Sequence, residues 1–336
     1  MLKTLFYWHK KFPVWKQISV FSSATLVSLN FWITPVIGDP FRQENQIEIG
    51  EKTEAAFQAM FEKGDYKQAQ NYLKMAESED MDEPLVYAMI SSLYYLDENW
   101  ELLKLYAEKT IEAGENLIEI NPVRGNIYAA TGHFLEGGYI VSTEGPLKGA
   151  PKALEKLQEV FSHFEAAERI NSSDPELNLL KGYMDLMLAV NLPFFDPAKA
   201  IETLEEKAYP EHLVYRGLAL AYRDLDDLKN ALEYIDKTIS KVPENPEVRY
   251  LKAQILVSQA KDKNNDLSLR KKARKHFNIA LAKSNQMPRR LVAQIFFEHC
   301  KNLNNIDQGK RPCDPMRDEI RDGLGTWGPS ELPVIN

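Results

Sequence analysis

Cysteine is almost missing from this chain: Cys300 and Cys313 are the two in 336 residues. So few exclude a disulfide-built scaffold and any four-thiolate metal cage. Glycine is scarce too, at 16 residues, which is below the usual share of about 7%. With long runs of helix formers, that scarcity argues against strand-and-turn architectures. The six histidines, His9, His133, His163, His212, His276 and His299, are scattered without ligand spacing. Neither the G-x-x-x-x-G-K-[ST] order that cradles phosphates nor a G-x-S-x-G nucleophile turn is present. A surplus of positive charge is also lacking. The net charge is −8, and beyond residue 38 the count is 37 basic against 49 acidic residues, or −12. Such a body has no evident hold on a phosphate backbone, so nucleic acid is not an expected partner.

Long uncharged runs are absent except for one. Lys3, Lys10, Lys11 and Lys16 precede 20 uncharged residues, Ile18–Ile37, and Asp39, Glu44, Glu48 and Glu51 follow. This charge order fits a segment entering a membrane with its N-terminus left in the cytosol. Twenty residues suffice to cross the hydrocarbon, and Val36 and Gly38 are small enough for cleavage after Gly38. Residues 1–38 are therefore expected to be a signal peptide or an N-terminal membrane anchor, with 39–49 as a polar linker. Either way the body is expected outside the cytoplasm: in the periplasm, in a lumen or secreted.

Between Leu213 and Pro243 the apolar residues keep helical spacing twice over. Leu218, Ala219 and Tyr222 form one stripe; after Asp226-Asp227 come Leu228, Ala231, Leu232, Ile235 and Ile239. Two short helices joined by a tight turn cannot cover both apolar faces alone and need neighbours of the same shape. The stretch resembles a tetratricopeptide repeat (TPR). Tyr215 stands where that family has Trp, followed by Leu218, Ala219 in place of Gly, and Tyr222. Ala231, Ile235, Thr238 and Pro243 occupy the second-helix positions.

Other stretches resemble it in turn. Gly64-Asp65-Tyr66 with Ala69, Leu73 and Ala76 matches a TPR turn and second helix. Leu103, Ala107 and Thr110 follow one period on, and Leu103 lies 34 residues after Ala69. Later landmarks Val160, Ala200, Ala231 and Ala273 are separated from Leu103 onward by 57, 40, 31 and 42 residues. Those uneven steps imply elaborated turns: a loop at 142–151 (STEGPLKGAP), with a helix from about Lys152, the insertion NLPFFDP, and DKNNDLSLR. Residues 288–303 are expected to cap the array, and 304–336 to form a Pro/Gly-containing tail with room for a short helix near Met316–Leu324 and its last dozen residues loose. The expected fold is all-α: a right-handed α-solenoid over 50–303, with about six TPR-like helix-turn-helix repeats and a C-terminal capping helix.

The resemblance also implies a site. In TPR proteins, first-helix positions two, five, nine and twelve line a concave groove. Carried over, these are Leu85, Ala88, Ser92 and Tyr95; Glu176, Leu179, Tyr183 and Leu186; Leu213, Arg216, Leu220 and Arg223; and Glu247, Tyr250, Gln254 and Val257. The expected partner-binding set is Tyr95, Tyr183, Arg216, Leu220, Arg223, Tyr250 and Gln254, facing a protein or peptide segment. The clamp for carboxyl-terminal peptides is not implied, because Glu54, Gln58, Ala88 and Ser92 replace its Lys and Asn.

No catalytic residue, metal or cofactor is expected. The resulting reading is a non-enzymatic scaffold, with assembly of a membrane or envelope complex as its task by analogy. A solenoid pocket for a small molecule or glycan near Gly132, Tyr139 and Lys148 stands as an alternative, and a structural subunit of a permanent complex as another. Cys300 and Cys313 leave open a disulfide that ties the tail to the cap, or a buried thiol.

Overall fold

Four of the helix-to-helix turns share one backbone solution. Gly64, Glu98, Asp226 and Asn265 each adopt a left-handed conformation, with φ of 62°, 54°, 64° and 61°. The next residue in every case, Asp65, Asn99, Asp227 or Asp266, accepts a backbone N–H three residues on as the N-cap of the following helix. A left-handed residue ends one helix and an Asx cap starts the next, so the chain reverses in a few residues. Pro84, Pro122, Pro175, Pro197 and Pro246 start helices, where a missing N–H is harmless.

The computed structural model describes residues 38–191 and 196–335, and the expected signal or anchor lies outside them. The helices are α1 (Glu51–Phe57), continuing as one π-turn Gln58–Glu62, α2 (Tyr66–Glu79), α3 (Pro84–Leu96), α4 (Trp100–Leu117), α5 (Pro122–Asn171), α6 (Pro175–Asn191) and α7 (Pro197–Lys207). They continue as α8 (Glu211–Asp224), α9 (Leu228–Lys241), α10 (Pro246–Asp262), α11 (Leu267–Leu281), α12 (Arg289–Asp307) and α13 (Cys313–Arg321). Successive helices pack as hairpins, each on the next. Among the described residues there is no strand, and no helix is long and apolar enough to cross a membrane.

The expected second-helix landmarks are all core. Ala69, Leu103, Val160, Ala200, Ala231 and Ala273 are buried, as are Leu73, Ala107, Phe164, Leu204, Ile235 and Phe277 four residues on. Seven residues on come Ala76, Thr110, Ala167, Thr238 and Ala280, also buried. Thr110 and Thr238 stand in for alanine because each hydroxyl donates to the carbonyl four residues back, Tyr106 O at 2.7 Å and Tyr234 O at 2.9 Å.

Three expectations are corrected. The 142–151 stretch is not a loop: α5 continues through it with one break at Gly145, φ +79°, and Pro146 opens its second half. A single left-handed residue followed by proline is enough to turn the chain. Residues 39–49 are not a solvated linker, since Asp39, Phe41, Arg42 and Ile49 are buried, and the Phe41 ring packs edge-on against Phe57 at 5.1 Å. The C-terminal stretch is also held. The capping helix α12 pairs with α13 as a seventh hairpin, Ser284 Oγ donates to Pro329 O at 2.6 Å, and Gly328 N donates to Met287 O at 2.9 Å.

Cys300 and Cys313 are bonded to one another, joining α12 to the start of α13. Because the bond closes a loop of 13 residues, replacing both by serine is expected to cost about 3 kcal/mol on the chain-entropy view. Urea unfolding of the oxidised wild type and the double variant measures this. Equal midpoints would show that the crosslink does not constrain the unfolded chain.

Candidate functional site

Besides Tyr95 and those that only pack, the residues expected on the inner face separate into three groups. The first is closed by the chain's own N-terminal stretch. Glu176, at the start of α6, is fully buried; its Oε2 accepts from Arg42 Nη2 at 2.9 Å and Arg124 Nε at 3.1 Å, and its Oε1 from Tyr128 OH at 2.6 Å. Arg124 also donates twice to Glu83, at 2.7 and 2.8 Å. Arg42 donates to Asp39 at 2.7 Å and to Asp174 at 2.8 Å. Burial pushes the Glu176 carboxyl up, but Arg124 and Arg42 outweigh it and hold the group below its ordinary value.

The second group is closed by the first hairpin. Arg216 on α8 pairs with Glu247 on α10, which also accepts from the Tyr66 hydroxyl of α2. Asn245 Nδ2 donates to Phe61 O at 3.1 Å. A side chain at Gly64 would meet Pro246 at 2.6 Å, so only glycine lets the turn approach this closely. Arg216 is therefore tied into an ion pair between helices, with its side chain 26% exposed.

The third group borders open space. Leu220 lies in a cleft of about 370 Å³ between α5, α6 and α8, with Phe134, Leu180, Tyr183 and Met187 among its walls. The lining is almost wholly apolar, although Thr131 and Asp224 belong to it. Tyr183 is fixed there: its OH donates to Leu213 O at 2.6 Å, and its ring lies where a Gly217 side chain would sit. The cleft is not bordered by Tyr139 or Lys148, and Gly132 is packed against Ile111 and Ala107 of α4.

Further along, Arg223 Nη1 donates to Gln254 Oε1 at 2.8 Å, and Gln254 Nε2 donates to Tyr250 OH at 2.8 Å. The Tyr250 OH donates to Glu298 Oε1 of α12 at 2.8 Å. Burial, then Glu298, push the Tyr250 phenol up, so it stays protonated. Arg223, Gln254 and Glu298 border a second, polar opening of about 600 Å³ with Lys261 and Lys301. Tyr95 joins neither opening; its ring stands edge-on to Trp100 at 6.0 Å. Leu85, Ala88, Leu179 and Leu213 are buried and serve packing, whereas Leu186, also buried, lines the cleft beside Leu220.

Sequence reasoning misses Thr131, Phe134 and Glu298, because the third pair is too irregular to carry positions onto and α12 reads only as a cap. It also misses a meeting of histidines: His133 and His163 stack at 5.7 Å and, with Glu115, place three ligand-type atoms within 4.8 Å of one another.

No family model matches this chain, and no curated protein matches it. Among solved structures it is similar to a thermophilic TPR protein from Thermus thermophilus, with 18% identity and a TM-score of 0.43 over 61% of this chain and 97% of that one. Its own buried landmarks and shared turns give the repeat character directly. The chain is an all-α solenoid of TPR-like hairpins. Among the described residues, the cleft at Leu220 is an apolar opening that the chain's own N-terminal stretch and first hairpin do not fill.

Proposed function

We propose that this solenoid is a non-enzymatic scaffold acting outside the cytoplasm, and that its inner-face cleft takes a large apolar side chain from a segment of a partner protein. One observation carries the reading: three successive first helices present Phe134, Tyr183, Met187 and Leu220 around one apolar opening of side-chain size. Buried aromatic and aliphatic anchors of this kind contribute most of the binding energy in protein interfaces. The lysine-led uncharged N-terminal run supports export or tethering, and the Cys300–Cys313 bond fits an oxidising compartment. Assembly of a membrane or envelope complex is the task that fits a tethered scaffold.

Filling the cleft tests the reading. Leu220→Trp is expected to leave far-UV circular dichroism unchanged and to lower capture of partners from membrane extracts at least tenfold. Undiminished capture removes the cleft from the binding surface. Replacing Arg216 would be a poorer test, because its loss would leave Glu247 and Tyr66 without their charge partner. A second reading has support from the cleft's volume, which lies within the range of about 300–1,000 Å³ used by small-molecule sites. An apolar molecule copurifying with the wild type but not with Leu220→Trp, seen by native mass spectrometry, would favour it. A glycan fits less well, because the lining offers few hydrogen-bonding groups.

A further inference from the structure

We propose that Glu115, His133 and His163 form a binding site for a borderline divalent metal ion of the zinc class. The three residues come from α4 and from the two halves of α5 on either side of Gly145, and their ligand atoms lie within 4.8 Å of one another. Glycines make the convergence possible. Cβ atoms at Gly114 and Gly132 would lie 2.5 Å from Ala129 N and Ile111 Cγ1, so the backbones of α4 and α5 approach as no larger residue allows. Their neighbours Glu115 and His133 are carried together by that contact.

The local hydrogen bonds set one ligand in advance. Asn126 is buried, and its Nδ2 donates to Pro122 O at 2.7 Å, which fixes which end of the amide faces His163. Asn126 Oδ1 then lies 2.9 Å from His163 Nδ1. An amide oxygen can only accept, so Nδ1 carries the proton and Nε2 is left with its lone pair. A held ring with one nitrogen donating to an amide oxygen is how ligating histidines are oriented and made more basic. His133 Nδ1 is buried without a hydrogen bond, 3.4 Å from Glu136 Oε2, which in turn is held by Lys156 at 2.6 Å.

Two imidazoles and one carboxylate suit zinc, cobalt, nickel or copper rather than magnesium or calcium. Three protein ligands leave a coordination position for water or an incoming group. Ligand atoms around such an ion lie about 3 Å apart, so the cluster must close by about 1 to 2 Å. The exposed Glu115 side chain supplies the freedom to do so. Bound there, the ion would join α4 to both halves of the broken α5 and stiffen the third hairpin, which supplies Thr131, Phe134 and Phe164 to the cleft.

Untagged full-length protein titrated with Co(II) is expected to develop visible d–d absorption that saturates at one equivalent, and Zn(II) is expected to displace it. His133→Ala and His163→Ala should each weaken Zn(II) binding at least tenfold by calorimetry, and Glu115→Gln by about as much. His276→Ala, outside the cluster, should change nothing. No stoichiometric binding at 100-fold excess over about 1 μM, or binding unaltered in the His133/His163 double variant, overturns the proposal. Should a variant fail to fold, zinc-edge X-ray absorption on the loaded wild type decides the matter. A shell with two imidazoles supports the site, and one with fewer than two overturns it.

Discussion

Arg124→Met is expected to cost about 3–5 kcal/mol of folding stability, the scale for stripping one partner from a buried ion network. The reason lies in the imbalance of the cluster. Arg42 and Arg124 face four carboxylates, Asp39, Asp174, Glu176 and Glu83. The Glu176 side chain is 0% exposed and that of Asp39 1%, so water cannot replace a lost guanidinium. With Arg124 gone, Glu83 loses both of its guanidinium donors and keeps only the Leu85 N–H, and Arg42 alone must balance the remaining charges. Methionine keeps most of the side-chain volume and sulfur packs adaptably, so the loss reports charge more than cavity. The contrast is Arg169→Ala, whose Glu165 partner lies 3.9 Å away with both side chains about 70% exposed; its cost should be under about 1 kcal/mol. Urea midpoints of the three proteins measure the difference. Equal losses for the two substitutions would mean that the buried cluster contributes no more than a surface pair.

Mild acid should unfold the protein through histidines. Burial holds His212 and His299 down at about 4, helped by Arg216 beside the first and by Arg274 and Arg311 near the second. Burial, followed by Lys252, does the same to His276. In the unfolded chain each takes up a proton near pH 6.5. The unfolded state therefore binds more protons between about pH 6.5 and 4. Stability is full above that window and falls as pH drops through it. At pH 5 the loss is about 2 kcal/mol for each of His212 and His299. Glu176 and Glu247 are held below the ordinary carboxylate range and stay ionised here, so their contributions fall away only in stronger acid. Denaturant midpoints at pH 7.5 and 5.0 test this. A flat profile would show that these rings reach water in the fold, and His212→Gln should remove about half of the combined effect of His212 and His299.

The hairpins are legible in the sequence because their information is local. Spacings of three, four and seven place Ala231, Ile235 and Thr238 on one stripe, and the N-caps Asp65, Asn99 and Asp227 sit in the same few residues as the turns they start. The 142–151 stretch misleads because Gly and Pro together suggest irregular chain, whereas here one left-handed glycine followed by an N-terminal proline turns a helix. The inner face is half legible. Positions two, five, nine and twelve do find Glu176, Arg216, Leu220 and Glu247, but helical spacing cannot reveal what the chain lays against them. Arg42 reaches Asp174 across 132 positions, and Tyr66 reaches Glu247 across 181. The separation of 30 positions between His133 and His163 hides their meeting in the same way, since only the break at Gly145 folds them together.

Tyr66 against Glu247, Asn245 against Phe61, and Glu98 against Arg290 at 2.8 Å join the beginning of the series to its end. A repeat protein whose units touch only their neighbours melts from the ends like a zipper and tolerates the gain or loss of a unit. This one has clasped its zipper. Its early and late hairpins are fastened to each other, so fraying at either end must first undo the other, and denaturation should run as a single all-or-none event. The number of hairpins is accordingly fixed: a unit inserted or deleted would pull the clasp out of register.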